Sequence, residues 1–363
     1  MRGRAKGGPG TPTLRTLLSI PVSLVLVLAP AAARNTPRET SPAKAVDAVL
    51  PLLVSEGGAP AAALPAQDGK LSRYAAADRG IGRTDHFRAG SITKTFVTTV
   101  VLQLAAEQRL SLSDTVEQHL PGLLRGHGTD GWHITLRALL AHTSGLADFA
   151  EAAYGAFALI PSQAVRIALT LPPARPGHYA YYSTDYLLLG MVVRQVAGHS
   201  YAAEAEAERR IIAPLSLPGT SFPGSRTSLP SPHGRAYAAD GSDVTELDPR
   251  VAGAAGELVT TPAEPDRFYA ALPRGRLQPP RRLREMLDTR AAHGSYGVGL
   301  FPVKLPCGTT VRGHNDRIAG SYVRSAATAD GRRVLTFRVS TDAMTDPRLE
   351  PALLDAEFCP RIR

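Results

Sequence analysis

The segment FRAGSITKTFVTTVVLQLAAE, which starts at Phe87, constrains the fold more than any other stretch. Its apolar positions Val97, Val100, Val101, Leu104 and Ala105 recur at helical spacing, which predicts a helix from Ser91 to about Ala106. The β-branched run from Thr98 to Val101 is poor helix material, because such side chains lose rotamer freedom against the preceding turn. Tertiary packing has to override that loss, so this helix is expected to be buried. With 363 residues, 44% of them hydrophobic, the chain is long enough to bury it.

The flanks differ in texture. Ser41-Pro42 ahead of AKAVDAVLPLLV reads as an N-cap, then Pro at the first position of an amphipathic helix. Residues 59–90 hold short Ala-rich, strand-like runs interrupted at Asp68-Gly69 and at Asp78-Arg79-Gly80, a hairpin signal. Helices are expected at 135–141, 162–170 and 186–197, separated by Pro- and Gly-rich loops. Beyond them come the strand-like runs YGVGLFPVKL, GTTVRGH, SYVRSAATA and RRVLTFRVS, the last two joined through Ala329-Asp330-Gly331. A helix over 347–358 follows. Early strands, a helical middle and late strands predict an α+β chain, with one sheet assembled from both ends and a helical lobe inserted.

The net charge of +9 is carried by scattered arginines; only five of the 41 basic residues are lysine. No aromatic-interleaved basic stripe is present, which argues against a nucleic-acid partner. Arg2, Arg4, Lys6 and Arg15 precede an apolar run from Leu17 to Leu28 and then Ala31-Ala32-Ala33, the pattern of an export signal over 1–33. The apolar run is too short to span a bilayer, and no cysteine near the cleavage site offers a lipid anchor. Export makes a Cys307–Cys359 disulfide reasonable, since oxidised pairs persist outside the cytosol. His119, His127, His133, His233 and His293 lack ligand spacing, so no metal is expected, and nothing points to an organic cofactor.

Ser-x-x-Lys occurs twice, and the first instance, Ser41–Lys44, is explained by the helix cap. The second, Ser91–Lys94, heads the apolar helix, where three-residue spacing puts both side chains on one face. A serine hydroxyl is a poor nucleophile until a base takes its proton. Lysine serves as that base when burial lowers its pKa, whereas arginine keeps its proton. The helix N-terminus adds backbone N–H groups for a developing oxyanion. From the pattern alone, a catalytic pair and a pair on a helix surface both remain open.

The surrounding motifs are more specific. FRAGSITKTF, LSLSDTVEQHLPGL, ITLRALLAHTSGL, PGHYAYYSTDYLLLGMVVRQVAGHSY, AGELVTTPAEPDRFYAAL, SYGVGL and CGTTVRGHNDRIAGSY follow one another in order. Together they resemble the class C β-lactamase and serine D-alanyl-D-alanine carboxypeptidase family across the chain beyond the leader. The resemblance implies a β-lactamase/transpeptidase-like fold, an antiparallel sheet flanked by helices beside an all-helical lobe. It would fill 34–363, the sheet drawn from about 59–90 and 290–342 and the lobe from about 107–250.

By the same resemblance Ser91 is the nucleophile and Lys94 its partner, while His142-Thr143-Ser144-Gly145 is structural, a matter of capping and turn formation. The family's Tyr-x-Asn reads here as Tyr181-Tyr182-Ser183 when counted back from the following helix, with Ser183 in the asparagine position. Counted forward from Pro176-Gly177, Tyr182 would be the tyrosine; the helix is the more rigid reference and favours Tyr181. The third motif reads His314-Asn315-Asp316, so His314 and Asn315 are expected to bind substrate, and the N–H of Arg317 to join that of Ser91 as oxyanion donor. Asp316 stands where the family has glycine and would pair with Arg317 or Lys94. The cysteine pair sits where such carboxypeptidases carry a disulfide.

These readings lead to a secreted, wall-associated, monomeric serine hydrolase forming an acyl-enzyme on Ser91. Its substrates would be D-alanyl-D-alanine peptides or β-lactams. An esterase on the same scaffold is the alternative, as is a catalytically impaired wall-peptide-binding relative, because the asparagine and glycine are absent.

Overall fold

The Ala-rich runs near residue 62 and the alternating runs near the other end of the chain meet in a single sheet. The computed structural model describes residues 42–359, apart from 78–80, 127–128, 151–158 and 200–202. The export segment 1–33, the cap Ser41 and the Asp78-Arg79-Gly80 turn lie outside the described residues. In chain order the main elements are α1 (Pro42–Val49), β1 (Ala62–Asp68), β2 (Leu71–Ala77) and α2 (Ile92–Ala106). Next come α3 (Leu136–Leu140), α4 (Pro161–Ala168), α5 (Ser183–Ala197) and α6 (Ala263–Ala271). The chain continues with β3 (Phe301–Lys304), β4 (Thr310–Ile318), β5 (Ser321–Ala327), β6 (Arg333–Val339) and α7 (Leu349–Phe358).

The sheet runs β2-β1-β6-β5-β4-β3 and is antiparallel throughout. Ala62 lies opposite Val339 and Asp68 opposite Arg333, so the first strand completes the sheet of the last ones. Both hairpins expected from the sequence form, with Gly69 (φ 60°) and Gly331 (φ 64°) supplying the left-handed residues of their turns. YGVGLFPVKL becomes strand only from Phe301. Its first half is a loop, closed by Gly297 N–H donating to Leu300 O at 2.9 Å, with Gly299 at φ 79°. The helix expected at 186–197 starts three residues earlier, at Ser183.

α1 and α7 pack together against one side of the sheet, around Val46, Leu53, Leu335, Phe337, Leu353 and Phe358. α6 packs against β1, β5 and β6 and joins the larger core built around α2, α3 and α5. Within it, nearly every residue of α2 is buried, including the β-branched run. The threonines fit because each hydroxyl is bonded. Thr95 donates to Gly299 O (2.7 Å) and meets the Tyr269 hydroxyl (2.9 Å), Thr98 meets the Tyr186 hydroxyl (2.9 Å), and Thr99 donates to Thr95 O (2.8 Å). Those bonds tie α2 to α5 and α6, which is the tertiary compensation its weak propensity required.

Residues from Glu39 onward form one compact unit. Among the described residues no helix is long and apolar enough to cross a membrane. Cys307, in the β3–β4 turn, and Cys359, after α7, form a disulfide with their Cα atoms 5.7 Å apart. The bridge closes a loop with a sequence separation of 52. Replacing both cysteines by serine is expected to cost about 2–4 kcal/mol of stability, mostly by releasing the unfolded chain. Urea unfolding checks it: a midpoint unchanged between the oxidised protein and the double variant would contradict the expectation.

Candidate active site

Ser91 is fixed from three directions at the head of α2. The guanidinium of Arg88 is buried and donates to Thr245 O (2.7 Å) and Thr227 O (2.6 Å). Ala89 N–H donates to Leu258 O at 2.8 Å, and Leu258 N–H donates to the Thr93 hydroxyl at 2.9 Å. Thr93 in turn donates to Gly90 O at 2.5 Å. One turn into the helix, Lys94 is 0% exposed. Its Nζ lies 2.8 Å from Ser91 Oγ and 2.8 Å from Ala255 O, and 4.8 Å from the centre of the Tyr181 ring. Burial pulls its pKa down from 10.5 to about 8, against the opposing pull of the Asp316, Asp148 and Asp185 carboxylates.

Of the two tyrosines, it is Tyr181 whose phenol reaches Ser91. Burial pushes that phenol well above its ordinary pKa of 10, with the Ser91 hydrogen bond pulling the other way, so it stays neutral near neutral pH. Tyr182 is the N-cap of α5 instead. Counting back from the helix therefore picked the ring beside Ser91. Tyr181 belongs to an aromatic cluster with Phe301 (ring centres 5.7 Å apart), Tyr296 (6.1 Å) and His314 (5.9 Å). Ser183 opens α5, and its N–H donates to Asp148 Oδ1 at 3.1 Å. The carbonyl of Ala255, rather than a side chain of the Ser183 position, takes the second hydrogen bond of Lys94.

His142 and Ser144 form a clamp behind the site. His142 Nδ1 lies 3.1 Å from Asp185 Oδ2, and Ser144 donates to Asp185 Oδ1 at 2.5 Å. Burial holds the imidazole well below 6.5 and the carboxyl well above its usual range, so burial works against charge on both partners. The clamp pins the loop after α3 to α5, and His142 keeps a left-handed φ of 56° there. Both residues thus serve structure, in keeping with the turn-forming reading from sequence.

The third motif is on β4, facing Ser91. His314 is 0% exposed; its Nε2 contacts the Tyr296 hydroxyl (3.1 Å) and its Nδ1 lies 2.6 Å from Asn315 O. It supports the aromatic cluster and does not line the cleft, contrary to the substrate-binding position expected for it. Asn315 and Arg317 do line the cleft. The Asp316 carboxylate faces the Ser91 hydroxyl and the backbone N–H groups of Ser91 and Arg317, the two donors expected for an oxyanion. Its Oδ2 is buried without a hydrogen-bond partner. Gly90 (φ 49°) makes room, because a Cβ there would lie 1.5 Å from that oxygen.

Ser91, Tyr181, Ser183, Asn315, Asp316 and Arg317 converge on one cleft of about 690 Å³, together with Asp148, Ala150, Phe301 and Tyr322. Sequence reasoning missed Ala255, which acts through a carbonyl common to all residues, and Asp148. It also missed Phe301 and Tyr322, whose apolar and aromatic spacing marks only strands.

The chain matches the family described as Beta-lactamase over residues 46–353. Its fold superposes with a TM-score of 0.81 on a D-stereospecific amidohydrolase from Streptomyces sp., at 37% identity, covering 87% of this chain and 98% of that one. A D-amino acid amidase from Ochrobactrum anthropi SV3, at 21% identity and a TM-score of 0.76 over 87% of this chain and 98% of its own, shares the fold. The putative penicillin-binding protein PbpX of Bacillus subtilis is 29% identical over 59% of this chain and 53% of its own length. The chain spans about half the length of the curated relatives it matches. With the match running through almost the whole described structure, the chain belongs to the beta-lactamase family of serine hydrolases.

Proposed function

We propose that the protein is an amide hydrolase that works through an acyl-enzyme on Ser91 and takes D-configured acyl groups. The single observation that carries the chemistry is the buried Lys94 amine 2.8 Å from Ser91 Oγ. The preference for D-configured amides rests on the likeness to the Streptomyces amidohydrolase. Ser91 Oγ bonds to the substrate carbonyl carbon as its proton passes to Lys94. The amide C–N bond then breaks, and the proton reaches the leaving nitrogen through the Tyr181 phenol. Water repeats the sequence: it gives a proton to Lys94 as its oxygen joins the acyl carbon, the ester bond between that carbon and Ser91 Oγ breaks, and Oγ takes the proton back. Lys94, at about 8, is the group able to change charge near neutrality, whereas Tyr181 relays as a neutral phenol. A D-alanyl-D-alanine carboxypeptidase or β-lactamase uses the same steps. Two carboxylates in the cleft, Asp148 and Asp316, are unfavourable to the terminal carboxylate such substrates carry. A silent binding protein is the second reading, favoured by the Asp316 carboxylate sitting against the expected oxyanion donors.

Mass spectrometry of protein incubated with D-phenylalanine p-nitroanilide and with a fluorescent penicillin separates these readings. A Ser91-linked adduct, lost in Ser91→Ala, supports the hydrolase. Saturable binding with no adduct from either compound supports the silent protein.

The neutral amine is the base, so acylation is expected to speed up as pH rises, with a midpoint near 8. Lys94→Arg, which keeps its proton, should slow acylation by about 100- to 10,000-fold at every pH. A flat pH profile in the native enzyme would remove Lys94 from the role of base. The basic and apolar leader over 1–33 supports an exported enzyme. Recovery from culture medium with a new N-terminus close to Ala33 is expected, and retention of Met1 in the cell would contradict it.

A further inference from the structure

Asp316 leaves a problem that the acyl-enzyme chemistry does not resolve. Its carboxylate faces the nucleophile and both N–H groups on which a substrate oxyanion would form. One oxygen, Oδ2, is buried without a hydrogen-bond partner. Neither cationic side chain nearby is paired with it. Lys94 donates to Ser91 and Ala255, and the exposed Arg317 has its guanidinium 6.0 Å from the ring centre of Tyr322. The other carboxylate of the cleft, Asp148, accepts through Oδ1 from the N–H groups of Ser183 (3.1 Å) and Ala150 (3.3 Å). Asp148 and Asp316 thus share the cleft with the Arg317 guanidinium, and Oδ2, packed against Gly90, lacks the partner that a cation meeting the turned carboxylate would supply.

The chain accommodates this carboxylate deliberately. Gly90 takes a left-handed φ of 49°, and any Cβ there would collide with Oδ2 at 1.5 Å. A productive substrate must bring its carbonyl to Ser91 while drawing Asp316 off the two N–H donors. An α-ammonium does both, since it lies about 2.5 Å from the reacting carbonyl carbon by ordinary bond geometry. A carboxylate that swings onto that ammonium vacates the donors without leaving the cleft.

We propose that Asp316 is the receptor for the substrate's α-ammonium, so that the enzyme takes aminoacyl compounds with a free amine and rejects their N-acylated equivalents. An N-acylated substrate leaves Asp316 on the N–H donors and its own carbonyl without them. The inference rests on the hydrolase reading and narrows its substrate to N-terminally free D-aminoacyl amides and esters.

The test compares kcat/KM at pH 7 for D-phenylalanine p-nitroanilide and its N-acetyl derivative, with the native enzyme and with Asp316→Asn. The native enzyme should favour the free amine by at least about 100-fold, since a site built to bond a polar group strongly rejects an analogue lacking it. In the variant the ratio should collapse to within about threefold, because asparagine keeps the shape and loses the charge. A second measurement needs no variant: the α-hydroxy analogue, D-phenyllactic acid p-nitroanilide, should be rejected by the native enzyme as the N-acetyl compound is. Equal use of the three compounds by the native enzyme, or a preference that survives Asp316→Asn, would overturn the proposal while leaving the hydrolase intact. Absence of both turnover and any Ser91 adduct with all of them would remove the hydrolase reading, and this inference with it.

Discussion

The contact between the Lys94 amine and Ser91 Oγ is held out of water, and that burial sets the charge behaviour of the amine. A lysine on a helix surface keeps its charge to a pKa above 10, and as a base it would be useless near neutrality. Here the side chain is 0% exposed, with the rings of Tyr181 and Tyr186 beside its Nζ and the carbonyl of Ala255 bonded to it. Three carboxylates pull the other way, and burial wins. Much of the architecture can be traced to that requirement. α2 must be interior, its threonines must find partners, and the loop carrying Ala255 must close over the amine.

The helix alone does not make the site. Ser91 and Lys94 come from its first turn, Tyr181 from the loop ahead of α5, and Asn315, Asp316 and Arg317 from β4. Each is held by contacts that have no chemistry of their own. Arg88 anchors the approach to Ser91. The His142–Asp185–Ser144 clamp fixes the loop behind Tyr181, and His314 braces Tyr296. Side chains gathered from separated segments keep a fixed mutual geometry only with such supports.

What the sequence made legible follows from what periodicity can encode. The buried α2, the two hairpins and the late strands all announced themselves through spacing of apolar residues and turn glycines. Ser91 and Lys94 were legible because three residues is a helical neighbour distance, and Tyr181 because a rigid helix fixed its count. His314 was misjudged: its motif position pointed to the cleft, whereas its imidazole sits among Tyr181, Tyr296 and Phe301. Asp316 was recognised as an intruding charge, but its direction was not. It pairs directly with neither the Arg317 guanidinium nor Lys94, and it faces the Ser91 hydroxyl and the N–H groups of Ser91 and Arg317. Such directions depend on backbone path, as with Gly90, and on carbonyls such as that of Ala255, whose identity no side chain records.

The pairing of β1 with β6 joins residues near 62 to residues near 339. Contacts of that sequence separation form late, because a very long loop must close before they repay its entropy. Until the last strand arrives, β1 and β2 form only an isolated ribbon, which is barely stable in water by itself. A nascent or truncated chain lacking β6 therefore leaves the greasy flank of α6 uncovered and open to self-association. Maturation of this molecule is in that sense gated by the arrival of its last strand.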